Sequence, residues 1–250
     1  MTHTISPELR ALLRRLKLGP MLDTLAERIT LATQQQMPLQ DFLTLALGDE
    51  VERRDRTAAE RRAAAAGLDP LMRLESWDDT AAITYDRRLW NELVTLRFVE
   101  SRHNALILGP VGVGKTFMAT ALGHIATKRR LSTRFVRADR LFKQLKVARL
   151  DGTYDREMRR LIGTELLIID DFGLSALDAH SSGDLYDLVV ERHQRTSTVI
   201  TSNRDPAEWL ALLADPIRAQ SAVDRLNSAA YELVVDGESY RARQKPRRPE

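Results

Sequence analysis

The feature that most limits the folds open to this chain is a glycine-rich run set between a short apolar stretch and a helical one. Asn104-Ala105-Leu106-Ile107-Leu108 leads into Gly109-Pro110-Val111-Gly112-Val113-Gly114-Lys115-Thr116, and the helix-forming Phe117-Met118-Ala119-Thr120-Ala121-Leu122 follows. Strand, loop and helix in that order are what a phosphate-binding loop requires. Gly109, Gly112 and Gly114 let backbone N–H groups converge on phosphate oxygens without side-chain obstruction, at the positive end of a helix. The pattern predicts a nucleotide site over Gly109 to Phe117, with ATP as ligand. Lys115 is expected to reach the β and γ phosphates, and Thr116 to ligate Mg²⁺.

A loop of this kind sits in a parallel sheet, and the rest of the C-terminal part agrees. Short apolar runs at 105–108, 134–136, 166–169, 198–201 and 231–235 alternate with longer helical stretches, as in a sheet with helices on both faces. The fold class is therefore read as α/β. The N-terminal part has a different rhythm. Leu9, Leu12, Leu13 and Leu16, then Met21, Leu22, Leu25 and Ile29, recur at three- and four-residue steps, and Gly19-Pro20 and Met37-Pro38 punctuate the region into three helices. The expected organisation is a helical domain over 1–66, a linker over 67–85 marked by Asp69-Pro70 and Ser76-Trp77-Asp78-Asp79-Thr80, an ATPase domain over 86–244, and a basic tail over 245–250.

Composition excludes several classes. The chain has 250 residues, 43% hydrophobic and 29% charged, with no apolar run near the roughly 20 residues that span a bilayer. MTHTISPELR lacks the apolar core of a secretory signal, so the cytoplasm is the expected location, without membrane contact. Cysteine is absent, which removes disulfides and thiolate metal sites.

Three further motifs follow the loop in chain order. Leu166-Leu167-Ile168-Ile169 ends in Asp170-Asp171. In a nucleotide-binding sheet the first acid would hold Mg²⁺ and the second would orient or deprotonate the attacking water. Two acids after a strand are, by themselves, more commonly a solvated loop start. Asp171 stands where glutamate is commoner, and its shorter reach predicts slow turnover. Asn203 follows Thr198-Val199-Ile200-Thr201-Ser202 and would place an amide beside the γ-phosphate, although asparagine after a strand is also a turn former. In Ala222-Val223-Asp224-Arg225-Leu226, Arg225 could enter a neighbouring subunit's nucleotide site and stabilise charge on the γ-phosphate. The alternative is an ordinary surface ion pair with Asp224 or another acid, and Arg218 is the second candidate for the trans role.

Taken together, GPVGVGKT, LLIIDDFG, ITSN and AVDRL resemble the AAA+ class, in the branch containing DnaA, DnaC and IstB. LRRLKLGPMLDTLAER, DFLTLALGDEVERR and GESYRAR narrow the resemblance to the IstB family, over nearly the whole chain. The resemblance implies an ATPase that oligomerises with ATP and duplex DNA, deforms the DNA without strong sequence preference, and recruits and stimulates an IstA-type transposase. It places Arg225 at the family's trans-acting position. The last apolar run ends about 15 residues from the C-terminus, so no helical lid subdomain is expected.

Charge distribution bears on the DNA expectation independently. The net charge is only +3, but residues 128–149 hold nine basic residues against the single acid Asp139. A helix beginning near Asp139 would turn Arg140, Lys143, Lys146 and Arg149 outward while Leu141, Leu145 and Ala148 face inward. Such a face could neutralise DNA phosphates, or could serve only solubility. A second basic cluster, Arg241, Arg243, Lys245, Arg247 and Arg248, ends the chain. Two rivals to the transposition reading are a DnaC-like helicase loader, with the same ATPase core, and a small-molecule kinase, against which Asn203 and the basic face both count.

Overall fold

The structure is a computed structural model that describes residues 4–77 and 83–240. Asp78, Asp79 and Thr80 and the basic residues from Arg241 onward lie outside the described residues. The chain divides into two compact units, Met1–Glu60 and Arg61–Glu250.

The first unit is helical: α1 (Pro7–Arg15), α2 (Leu22–Gln34) and α3 (Leu39–Ala65), the last extending past the unit's boundary. Ser6 caps α1, accepting from Leu9 N–H at 3.2 Å, and Pro7 occupies the first turn, where no N–H is needed. A small core of Ile5, Leu13, Met21, Leu25 and Ala46 forms where the helices meet. Ion pairs reinforce it. Arg28 meets Asp49 at 2.6 Å, and the buried Glu50 accepts from both Arg53 and Arg54 at 2.7 Å. Leu39, Leu43, Leu47 and Val51, spaced every four residues along α3, stay exposed.

The second unit contains β1 (Ile83–Thr84), α4 (Arg87–Val94), α5 (Arg97–Glu100), β2 (Asn104–Leu108), α6 (Lys115–Lys128), β3 (Thr133–Arg137), α7 (Ala138–Leu150), α8 (Tyr154–Gly163), β4 (Leu166–Phe172), α9 (Ala179–Arg192), β5 (Ser197–Ser202), α10 (Pro206–Trp209), α11 (Pro216–Ser228), β6 (Ala230–Val234) and β7 (Asp236–Gly237). The main sheet is all parallel, in the order β3-β4-β5-β2-β6. Successive side chains of a strand point to opposite faces, and here both faces are covered. Ala105 and Ile107 join one core with α6, Trp90 and Leu93; Leu106 and Leu108 join the other with α7, α9 and α11. This is why the strands read as continuous apolar runs. It is the parallel α/β sheet flanked by helices anticipated from the sequence.

The expected linker is largely packed. Leu68 lies in the core beside α6, and Leu74, Trp77, Ile83 and Tyr85 pack against the same core. β1 pairs antiparallel with β7, tying this segment to the chain beyond β6. Among the described residues, no helix is long and apolar enough to cross a membrane.

Candidate functional site

The glycine-rich run forms a tight loop between β2 and α6. Gly109, Gly112 and Gly114 have φ values of 145°, 91° and 97°, in the region that favours glycine. A Cβ at Gly109 would fall 1.9 Å from Val235 O, and one at Gly112 would fall 2.1 Å from Ser239 Oγ. Gly114 is the N-cap of α6, and no side chain caps this helix, so the N–H groups of its first turn are presented to the loop's interior. Lys115 is buried, and its Nζ donates to Pro110 O at 2.7 Å within the loop. An arriving phosphate would replace that carbonyl as the ammonium's partner. Val111 is exposed at the loop's tip and Val113 is buried beneath it.

The two acids lie near the end of β4, Asp170 meeting the loop at Thr116, and the backbone turns them in different directions. β4 and β5 pair in register up to Ile169 and Ile200, and resume at Phe172 and Ser202, so Asp170 and Asp171 together face the single residue Thr201. This is a bulge, and Asp171 takes the left-handed conformation there, with φ 56°. The first acid stays inward while the second is re-aimed. Asp170 is only 3% exposed and accepts from Thr201 Oγ1 at 2.6 Å. Burial raises its pKa; hydrogen bonds from Thr201 and Thr116 oppose the rise, and the neighbouring Asp171 charge adds to it. Asp171 N–H donates to the same Thr201 oxygen at 2.9 Å, and its carboxylate faces Arg137, Nη2 to Oδ2 3.5 Å.

These contacts bring Thr116 of the loop and Asp170 of β4 together. The donor set fits Mg²⁺ held in the usual way, by a hydroxyl and a carboxylate with the remaining positions left to phosphate oxygens and water. Among the described residues no cluster of three or more His, Asp or Glu could hold a metal unaided.

The other expected residues lie as follows. Asn203 is exposed just past β5, in a turn held by Ser202, whose Oγ donates to Phe172 O at 2.8 Å and accepts from Arg204 N–H and Trp209 Nε1. Arg225 is half-buried on α11. Its Nη1 donates to Ser221 O and Oγ one turn earlier, with no ion pair to Asp224 among the described residues. Arg218 is exposed, 3.6 Å from Asp215 and 5.6 Å from the Tyr186 ring.

On α7, Arg140, Lys143 and Lys146 face outward as expected. Arg149 departs from that face. It pairs with the buried carboxylate of Asp184 on α9, to which Tyr154 O–H also donates, and lies 3.8 Å over the Tyr154 ring. Removing Arg149 would leave the buried Asp184 carboxylate without its counter-ion, so this arginine serves the fold before any ligand. Lys146 lies 3.9 Å from Asp178, while Arg140 and Lys143 have no ion-pair partner among the described residues.

Two neighbours of the loop were not foreseen. Trp77 packs against Gly114, where a Cβ would meet its ring at 3.0 Å, and lies 5.2 Å from Phe117. From the C-terminal side, Tyr240 N–H donates to Gly112 O at 2.9 Å, next to Ser239. The Glu238-Ser239-Tyr240 stretch thus straps the loop. Its family-like motif was the available signal; Trp77 offered none beyond its presence in a polar segment.

Comparison with known proteins adds identity to geometry. The family model described as IstB-like ATP binding protein matches residues 11–248. An insertion-sequence ATP-binding protein of Mycobacterium tuberculosis is 34% identical over 97% of this chain and 97% of its own length. The IS21 ATP-binding protein of Pseudomonas aeruginosa is 32% identical over 95% of this chain and 90% of its own. Among solved structures, AMPPCP-bound DnaA from Aquifex aeolicus superimposes with a TM-score of 0.53 at 22% identity, covering 66% of this chain and 50% of that one, a likeness of fold.

Proposed function

The chain belongs to the family of IstB-like ATP-binding proteins, and from that membership we propose that it is an ATPase that assembles on duplex DNA and delivers it to a transposase of the same insertion sequence. ATP with Mg²⁺ is bound by Gly109 to Phe117 together with Asp170. Asp171 and Asn203 hold the attacking water, and Arg225 of a neighbouring subunit completes the site. Work on duplex DNA with cellular ATP belongs in the cytoplasm.

The observation that carries this reading is the contrast between the loop and Arg225. Thr116, Lys115 and Asp170 gather at one loop, whereas among the described residues the Arg225 side chain is tied only to Ser221 of its own helix, which leaves it to a partner. Arg140 and Lys143, without ion-pair partners among the described residues, give the DNA-facing surface. The exposed Leu39, Leu43, Leu47 and Val51 of α3 give the N-terminal unit an apolar face suited to assembly or to the transposase.

Sedimentation velocity of the full chain tests the reading, with duplex DNA and a non-hydrolysable ATP analogue added separately and together. A multimer that requires both is expected, and Lys115→Ala is expected to abolish it. A chain that remains monomeric with both present would refute the proposal.

A further inference from the structure

At the end of the sheet where β3 and β4 begin, a groove of about 820 Å³ opens between the ends of α3, α6 and α8. Five arginines line it, Arg62, Arg130, Arg134, Arg159 and Arg160, against one carboxylate, Glu165. That carboxylate is already engaged, accepting from Ser132 N–H at 2.7 Å and Ser132 Oγ at 2.8 Å.

Cations do collect at the negative ends of helices, and α6 and α8 both end here. Those ends are served by other arginines. Arg192, buried without a carboxylate partner, donates to Leu161 O, Ile162 O and Thr164 O at the end of α8. Arg62 Nε donates to Thr127 O near the end of α6 at 2.9 Å. Arg159 Nε donates to Asp155 O one turn earlier on α8 at 3.1 Å, and neither Arg159 nor Arg160 is needed at a helix end. Both are exposed, and among the described residues neither has a carboxylate within ion-pair reach. Arg134 lies deeper, its Nη1 buried without a hydrogen-bond acceptor and 3.7 Å from Glu157 Oε2. Burial and the Arg160 charge both disfavour its protonated form. Like charges crowded in a concave site are relieved by an anion, and guanidinium forks match phosphate oxygens in pairs.

We propose that this groove is a second nucleic-acid surface, gripping the phosphate backbone of duplex DNA through Arg159, Arg160 and Arg134. It rests on the reading of the chain as a duplex binder, but not on the α7 face and not on ATP. An acidic peptide fits less well. The exposed edge of β3 that a peptide strand would pair with is taken at Phe135, whose N–H donates to Ala66 O at 2.7 Å. The groove also lacks an exposed large apolar side chain to seat a peptide anchor.

Fluorescence anisotropy of a labelled short duplex with the full chain, without nucleotide and across a series of KCl concentrations, tests the proposal. Arg159→Gln/Arg160→Gln is compared with Arg140→Gln/Lys143→Gln and the parent, with thermal melting confirming that each is folded. The groove variant is expected to bind more weakly, with a log–log salt slope shallower by about two. An unchanged affinity and slope in that variant would overturn the groove whatever the α7 variant does. Loss confined to the α7 variant would overturn the groove and leave duplex binding intact; a parent that binds no duplex without nucleotide would overturn the groove, and one that also binds none with a non-hydrolysable ATP analogue would refute the reading of the chain as a duplex binder as well. Labelled polyglutamate that binds the parent but not the groove variant, with duplex binding unaffected, would assign the groove to an acidic peptide. Inorganic phosphate that displaces the duplex from the parent no better than KCl of equal ionic strength is expected; specific displacement would make the ligand free phosphate.

Discussion

Asp170 illustrates how a residue can be costly to the fold and yet suited to a ligand. Its carboxylate is buried among Thr116, Thr201 and the strands, so its pKa is raised, chiefly by desolvation. A carboxyl raised in the folded state stabilises the fold fully below its unfolded pKa, and that contribution is lost as pH rises through the folded value. Without Mg²⁺, Asp170→Asn is therefore expected to melt at or above the parental temperature at pH 7, because the amide still accepts from Thr201, and the difference is expected to shrink toward pH 4. With Mg²⁺ and nucleotide the order reverses, since only the parent gains stability from the bound ion. Melting curves over pH, with and without Mg²⁺-nucleotide, check both directions. A variant less stable than the parent without Mg²⁺ at pH 7 would contradict the account of this carboxylate.

At the scale of elements, α3 depends on a charge clamp. Glu50 is buried and its pKa is held down to about 2, chiefly by the hydrogen bond from Arg53 with help from Arg54, against the opposing effect of burial. A depressed carboxyl contributes stability above its unfolded value, near 4.5, that is lost as pH falls toward 2. In the full chain, the hydrogen-exchange protection of α1 to α3 amides, referred to the intrinsic rate at each pH, is expected to fall over that interval, and Glu50→Gln is expected to start less protected and show a smaller acid dependence. Equal acid dependence in the variant would contradict the clamp. The helices and strands themselves were largely legible, because a loop flanked by apolar residues and a helix is a local backbone requirement, and a doubly covered sheet leaves unbroken apolar runs. The bulge at Asp170-Asp171 was not legible, since it depends on Thr201 thirty residues later. Nor was the diversion of Arg149 to Asp184 on α9, because helical periodicity shows which way a side chain points but not which distant carboxylate meets it.

For the whole molecule, the proposed assembly makes the nucleotide loop one part of a site divided between subunits. The residues proposed to surround the phosphates stand in order along the chain, and the structure brings two of them, Thr116 and Asp170, together. Trp77 and Tyr240 were missed as neighbours of the loop because their contact depends on how the segments before β1 and after β7 return to it. The family-like stretch ending in Tyr240 acquires a physical role as the strap across Gly112. If Arg225 acts in a neighbour's site, a subunit lacking Lys115 can still donate its arginine, and a subunit lacking Arg225 can still bind ATP. The direct measurement is ATP hydrolysis by Lys115→Ala, Arg225→Ala and their equimolar mixture with duplex DNA present. The expected result is near-background turnover for each variant alone and restored turnover in the mixture, to a fraction of the parental rate set by the share of mixed junctions. A mixture no faster than the sum of its parts would contradict the divided site.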